Sequence, residues 1–285
     1  MHTPTDASFS PAAAAGGSPH APAVPGIPPV SKKDAPAFHS AEHRDAGAEA
    51  FRSGARDYED ARPGYLPAAL DLLGPFDSAL DVGCGTGKLT ADLLGRGQRV
   101  VGLDPSQNML REFSAGLPGV ACVRARAESL PFTGGAFDAV TCAQTWHWLD
   151  HEAASRELAR VTTPDARVLL VWNTFDVLVP WVHRLSRIMH SGDTLKEGFV
   201  PNLGPQWRIE KTLRTRWEQR LYPQQLHDLT HTRSYWLRSN EKTRARVTAN
   251  LDWYLYDHLQ LDPRAQVGLP YRLDAFLLVK ASPAA

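Results

Sequence analysis

Asp81, Gly83, Gly85, Gly87 and Asp104 have the types and spacing for ligand chemistry. The run Ala79-Leu80-Asp81-Val82 is apolar but for one acid, and glycines follow at alternate positions. Lys88 to Leu94 then has helical spacing, so the stretch reads as a buried strand, a tight turn and a helix start. Glycine lets backbone turn sharply or approach a ligand with no Cβ in the way, and the N–H groups of a helix start favour a polar or anionic group. A second apolar run, Arg99 to Leu103, ends in Asp104, 23 residues after Asp81. An acid about 20 residues downstream, at the end of the second strand, reaches ribose hydroxyls in open α/β sheets. A phosphate-binding loop needs four residues between its glycines and a Ser or Thr after its lysine; here three lie between Gly83 and Gly87, and Leu89 follows Lys88. A dinucleotide fingerprint needs a third glycine where Lys88 or Thr90 stands.

A second chemical stretch is Gln144-Thr145-Trp146-His147-Trp148-Leu149-Asp150, after the predicted fourth strand. Ligands of open α/β sheets lie outside the carboxyl ends of the strands, which places this loop at the site. Two tryptophans flanking a histidine suit a flat or apolar substrate. His147 is the candidate catalytic base, and the competing reading is a structural hydrogen-bonding residue. Cys84, Cys122 and Cys142 have neither a zinc spacing nor an even disulfide set; they read as reduced, packed thiols of a cytoplasmic protein, with no metal site.

The elements that must position these residues alternate. Strands are predicted at Leu80–Gly83, Val100–Asp104, Val120–Val123, Phe137–Ala143 and Val168–Trp172, with helices at Lys88–Arg96, Pro105–Ala115 and about Glu152–Val161. Short apolar runs without alternation suit parallel strands covered on both faces, and the crossovers suit right-handed βαβ units. A doubly wound open sheet follows. Leu213 to Leu221 alternates apolar with charged residues, as a half-solvated edge strand does. Gln224–His231 reads as a short helix, Glu241–Leu259 as one amphipathic helix, and Tyr271–Val279 as the last strand. Residues 174–210 are expected to form a lid or substrate insertion.

The chain has 285 residues, 43% apolar and 22% charged, with zero formal net charge. That composition fits a globular core, predicts no nucleic-acid partner, and contains no apolar run near 18 residues that would span a membrane. Residues 1–45 are Ala, Pro, Ser and Gly with few large apolar side chains, which predicts a disordered tail ahead of a domain at 46–285. The tail lacks the charged start and apolar core of a signal peptide. Composition leaves the oligomeric state open.

The Asp-x-Gly-x-Gly-x-Gly form of residues 81–87 resembles the first motif of the class I S-adenosylmethionine-dependent methyltransferases. The likeness covers about residues 50 to 285. It is strongest from Tyr58 to Asp150, and it is most similar to the small-molecule branch with trans-aconitate methyltransferase and the quinone-biosynthesis C-methyltransferases. The resemblance implies a seven-stranded, mostly parallel sheet whose last strand is antiparallel and slotted between the fifth and sixth. It implies S-adenosylmethionine as cofactor and a small-molecule acceptor methylated on oxygen or carbon. Cofactor contacts are implied at Asp81, Gly83, Cys84, Gly85, Gly87, Asp104 and Pro105. Met109 is placed against the adenine face, and Ala127 with Glu128, ahead of Leu130-Pro131-Phe132, at the adenine edge. Tyr58 and Arg62, in a stretch like the family's Tyr…Arg-Pro-x-Tyr, are placed at the methionine end, where the competing reading is capping of the first helix. Gln144 and Trp146 are placed beside the cofactor, and Trp148, Tyr235 and Trp236 at the acceptor. Two other classes stay open: an NAD-type oxidoreductase, and a module that binds the cofactor without catalysis.

Overall fold

The computed structural model describes residues 62–191 and 195–282. The tail at 1–45, the domain start near Ala46 and Tyr58 lie outside the described residues. Helix α1 (Pro67–Asp71) opens on a proline, whose missing N–H has no helical partner to lose. Then follow β1 (Phe76–Val82), α2 (Lys88–Leu93), β2 (Gly97–Leu103), α3 (Gln107–Gly116), β3 (Ala121–Val123), β4 (Phe137–Ala143), α4 (His151–Val161) and β5 (Thr162–Phe175). The C-terminal part holds α5 (Pro180–Ile188), β6 (Trp207–Leu221), α6 (Pro223–His231), α7 (Ser234–Arg238), α8 (Glu241–Asp252) and β7 (Val267–Lys280).

The seven strands form one sheet in the order β3-β2-β1-β4-β5-β7-β6. Pairs among β1 to β5 are parallel, and β7 runs antiparallel to both β5 and β6. This is the expected doubly wound sheet, with the last strand between the fifth and sixth. Strand alternation divides the core in two. Leu80, Val82, Val140, Val168 and Leu170 join Leu158 and Val161 of α4 on one face. Ala79, Ala139, Leu169 and Val171 join Leu70 of α1 and Leu89 and Leu93 of α2 on the other. With both faces covered, neither set meets water, which is why the strands read as continuous apolar runs.

A third cluster lies beyond the end of β5. Trp181, Val182 and Leu185 of α5 pack with Leu226 and Leu229 of α6 and with Leu251, Tyr254 and Leu255. Helix α5, part of the segment expected as a lid, packs in this helical layer, while Leu195, Phe199 and Trp207 further along join the core against the sheet. The residues after α5 are stitched to the sheet: Arg272 Nη2 donates to the carbonyl of Leu195, Arg214 Nη2 to that of Phe199, and Trp146 Nε1 to that of Asn202. The single helix expected over Glu241–Leu259 instead passes into a π-helical stretch, Trp253–His258. Its wider turn turns both Tyr254 and Leu255 inward, and the Tyr254 hydroxyl donates to the Trp181 carbonyl at 2.9 Å.

Asp81 and Asp274 lie inside this packing. Asp81 accepts from the hydroxyls of Thr90 on α2 (2.6 Å) and Thr141 on β4 (2.8 Å), so it ties three elements together. Burial pushes its carboxyl up to about 6; the two hydroxyls pull it down and the charge of Asp104 adds to the rise. A raised carboxyl holds its proton more tightly in the folded state. The resulting stabilisation is complete below the ordinary value of 3.8 and is lost as pH rises through about 6. Asp81→Asn stays neutral, so its stability relative to the parent is expected to improve by about 2–3 kcal/mol between pH 4 and pH 8. Thermal melts of both proteins at the two pH values check this. Asp274 accepts from Arg272 Nε at 2.7 Å and Arg214 Nε at 3.1 Å. Asp274→Ala leaves a buried guanidinium without its carboxylate and is expected to cost about 3–5 kcal/mol in urea denaturation, with Asp274→Asn falling between.

Candidate functional site

The strand ends of β1, β4 and β5 open into a cleft of about 670 Å³, its open mouth included. Its floor is the glycine turn. Gly83 and Gly87 adopt φ of +69° and +99°, which other residues rarely take. A Cβ on Gly83 would come within 2.3 Å of the Thr145 side chain, so the β1 turn and the β4 loop can touch only through a glycine. The turn is held from β2. The Leu103 carbonyl accepts from Gly83 N at 2.7 Å and Cys84 N at 3.0 Å, and Gly87 N donates to the Cys84 carbonyl. Asp104 completes it, accepting from Gly85 N at 3.1 Å through Oδ2 and from Ser106 N at 2.7 Å through Oδ1. The amides expected to face a ligand at Gly83, Cys84, Gly85 and Gly87 are therefore engaged within the protein.

Asp104 is buried, and desolvation pushes its carboxyl up to about 6 against the pull of the two amides. Each oxygen keeps a lone pair beyond the amide it accepts from. Cys84 packs with Leu110 and Phe113 of α3, and burial pushes its thiol well up, as suits an inert core cysteine. Pro105 is exposed, its carbonyl taken by Arg124 Nε, and Met109 is buried. Ala127 is buried in the core. Glu128 accepts from Asp150 N at 3.1 Å and lies 3.5 Å from Arg126, which joins the loop after β3 to the start of α4.

The stretch after β4 divides. Gln144 and Thr145 line the cleft; Trp146, His147 and Trp148 turn away from it as a short 3-10 helix. Trp146 is buried in the core and stacks on His151, so the structure places it behind the cleft rather than in its wall. His147 Nδ1 accepts from the Trp172 indole N–H at 3.2 Å. An indole N–H can only donate, so Nδ1 is the acceptor in this contact. Trp148 lies beside it, 5.2 Å between ring centroids. Gln144 has φ of +52°, a strain of about 1–3 kcal/mol for a residue that is not glycine. Its Nε2 donates to the Asn173 carbonyl, and its buried Oε1 finds no hydrogen-bond partner among the described residues. A buried acceptor left over in a cleft wall suits a donor on a bound molecule.

Opposite the glycine turn the cleft is walled by Arg62, Asn173, Arg233 and Tyr271. Arg62 donates to the Thr232 hydroxyl at 3.0 Å and to its carbonyl. Asn173 donates to the Gly64 carbonyl and accepts from the Trp217 indole. Sequence reasoning missed Asn173 and Tyr271, and held Arg233 only as part of the stretch Thr232–Trp236 that the resemblance places near the acceptor. Asn173 was within reach, as a polar residue at the end of an apolar strand. Tyr271 reaches the same edge because β7 is antiparallel and pairs it with Phe175. Tyr235 and Trp236, expected at the acceptor, stack on His190 (3.7 Å) and His231 (4.4 Å) in the helical layer, outside the wall. No described helix is long and apolar enough to cross a membrane, and the described residues hold no cluster of metal-ligating side chains.

A family model described as a methyltransferase domain matches residues 80–170, from β1 into β5. An uncharacterized methyltransferase of Mycobacterium tuberculosis is 37% identical over 224 residues, which cover 78% of this chain and 91% of the relative. A demethylmenaquinone methyltransferase of Beutenbergia cavernae is 37% identical over 120 residues, covering 39% of this chain and 50% of that protein. Among solved structures, a protein assigned as a type II methyltransferase from Anaeromyxobacter dehalogenans superposes with a TM-score of 0.58 at 23% identity, over 76% of this chain and 97% of the other; that likeness shows the fold. With this sheet order, this glycine turn and a mycobacterial methyltransferase matched along nearly its whole length, the chain belongs to the class I S-adenosylmethionine-dependent methyltransferases.

Proposed function

We propose that this enzyme methylates a small organic acceptor bound over the ends of β4, β5 and β7, beside S-adenosylmethionine seated on the ends of β1 and β2. The observation that carries the reading is the two-sided cleft: glycine turn and Asp81 on one side, Asn173, Arg233 and Tyr271 on the other. The catalytic domain spans 46–285, and the segment 174–210 with the helical layer behind it backs the acceptor side. The partial match to demethylmenaquinone methyltransferases supports an acceptor of small-molecule size. An acceptor of the trans-aconitate or quinone kind belongs to the same reading.

When bound, S-adenosylmethionine would supply an activated methyl group on its sulfonium, for transfer to a nucleophilic oxygen or carbon of the acceptor. The chain's own residues bind, align and exclude water, which is much of the work in such a displacement. Asp104 accepts the ribose hydroxyls with the lone pairs its amides leave. Ala127 and Glu128 bound the adenine edge, with Met109 against its face. Tyr58 and Arg62 hold the methionine end. The leftover Gln144 oxygen accepts from the amino group there. His147, its Nδ1 occupied, positions the loop that carries Gln144, and Trp146 anchors that loop in the core.

Asp104→Ala is expected to weaken S-adenosylmethionine binding by about 1.5–3 kcal/mol in isothermal calorimetry, the size of hydrogen bonds to a charged group. In the parent, affinity is expected to fall as pH drops through about 6, because protonation of Asp104 removes the charged acceptor, and the variant should lose that dependence. Unchanged affinity in Asp104→Ala would sink the ribose assignment. Release of S-adenosylhomocysteine over a panel of carboxylates, phenols and quinones tests the acceptor class.

A further inference from the structure

We propose that Asn173 is a positioning residue for the cofactor: its amide ties the stretch Arg62–Tyr65 to the loop of Gln144, and so holds the two sides of the methionine end at one fixed separation. The inference rests on the methyl-transfer reading above, in which Arg62 and Gln144 meet that end from separate elements. Asn173, near the end of β5, is only 3% exposed and stands in the cleft wall. Its Nδ2 donates to the Gly64 carbonyl at 2.9 Å, and its main-chain carbonyl accepts from Gln144 Nε2. Its Oδ1 accepts from the Trp217 indole N–H at 3.2 Å, across β7. One residue thus touches the stretch before α1, the loop after β4 and the edge strand β6.

Those contacts leave the amide one orientation. A carbonyl only accepts and an indole N–H only donates, so a flipped amide would set oxygen against the Gly64 oxygen and N–H against N–H. Trp217 therefore chooses which end of the amide faces Gly64. The indole is itself held, stacked on Tyr271 with 5.3 Å between ring centroids and 22° between planes. The ladder puts Phe175, Tyr271 and Trp217 in line across β5, β7 and β6, so the choice is carried by the sheet rather than by a loop. Arg62 is fixed at its own end, donating to the Thr232 hydroxyl at 3.0 Å. Gly64 is exposed and has no side chain to anchor it, so the Asn173 amide draws that carbonyl to the sheet. Gln144 is strained at φ +52°, and the Asn173 carbonyl is the partner its side-chain N–H finds. Groups on different elements hold one ligand end well only when their spacing is set before the ligand arrives.

The full-length protein is titrated calorimetrically with S-adenosylhomocysteine and with 5′-methylthioadenosine, which keeps the nucleoside and its sulfur but lacks the amino-acid end. Asn173→Asp keeps the acceptor for Trp217 and sets a carboxylate oxygen against the Gly64 carbonyl. At about pH 8 it is expected to weaken S-adenosylhomocysteine about tenfold and 5′-methylthioadenosine less than about twofold. As pH is lowered to about 5 the new carboxyl gains a proton and its O–H takes the place of the amide donor, so the ratio of the two affinities should climb back towards the parent's. The parent's ratio, measured at the same pH values, corrects for Arg62, Asp81, Lys88, Arg233 and Tyr271 of the described wall, and both probes carry the ribose assigned to Asp104. Trp217→Phe keeps an aromatic ring but frees the amide to turn, and is expected to shift the ratio in the same direction by about threefold at either pH. An unchanged ratio in Asn173→Asp, an equal loss of both probes, or no recovery at low pH overturns the assignment. Should Asn173→Asp fail to fold by circular dichroism, Trp217→Phe decides, and a ratio equal to the parent's then overturns it. Failure of the parent to bind S-adenosylhomocysteine counts against the methyl-transfer reading itself.

Discussion

One carbonyl, that of Leu103, fixes the geometry from which the site is built. It receives the amides of both Gly83 and Cys84, so the turn after β1 is locked to the end of β2. Everything else at the floor is referenced to that lock. Asp104 follows Leu103 directly and reaches back to Gly85, and the loop of β4 closes over Gly83 through Thr145, whose hydroxyl donates to the Ala143 carbonyl. Asp81 braces the arrangement from below through α2 and β4. Preorganisation of this kind leaves little backbone to rearrange when a ligand enters.

The glycine-turn side of the cleft was legible in the sequence because its determinants are local. Asp81, the three glycines and Asp104 lie within 24 consecutive residues, and one βαβ unit fixes their relative places. The sheet was legible for a related reason: buried parallel strands read as apolar runs, and the charged alternation of Leu213–Leu221 marked an edge that the structure also shows. The strands themselves proved longer than their apolar runs. β5 spans Thr162–Phe175 because its partner β7 continues the ladder past the apolar centre.

The opposite wall was legible only in part, at Arg62, because most of its contacts join residues far apart in the chain. Arg62 reaches Thr232, and Asn173 links Gly64 to Trp217. No local pattern announces such pairings. The partners of the aromatic residues were equally out of reach: Trp146 is buried against His151, and half-buried Tyr235 and Trp236 lie against the rings of His190 and His231. An aromatic side chain in a loop buries its area wherever a partner is offered, and the sequence does not say which partner that is.

The placing of β7 between β5 and β6 has a consequence for assembly. β6 precedes β7 along the chain and pairs with it, not with β5. Until β7 threads into the gap, β6 is an open ladder seeking any strand. Its outward residues answer that hazard: Arg208, Arg214, Arg216, Glu218 and Arg220 crowd the strand with charge, which discourages pairing with another copy. The same arginines that clasp neighbouring loops in the finished molecule thus also guard this ladder while it is still unclosed.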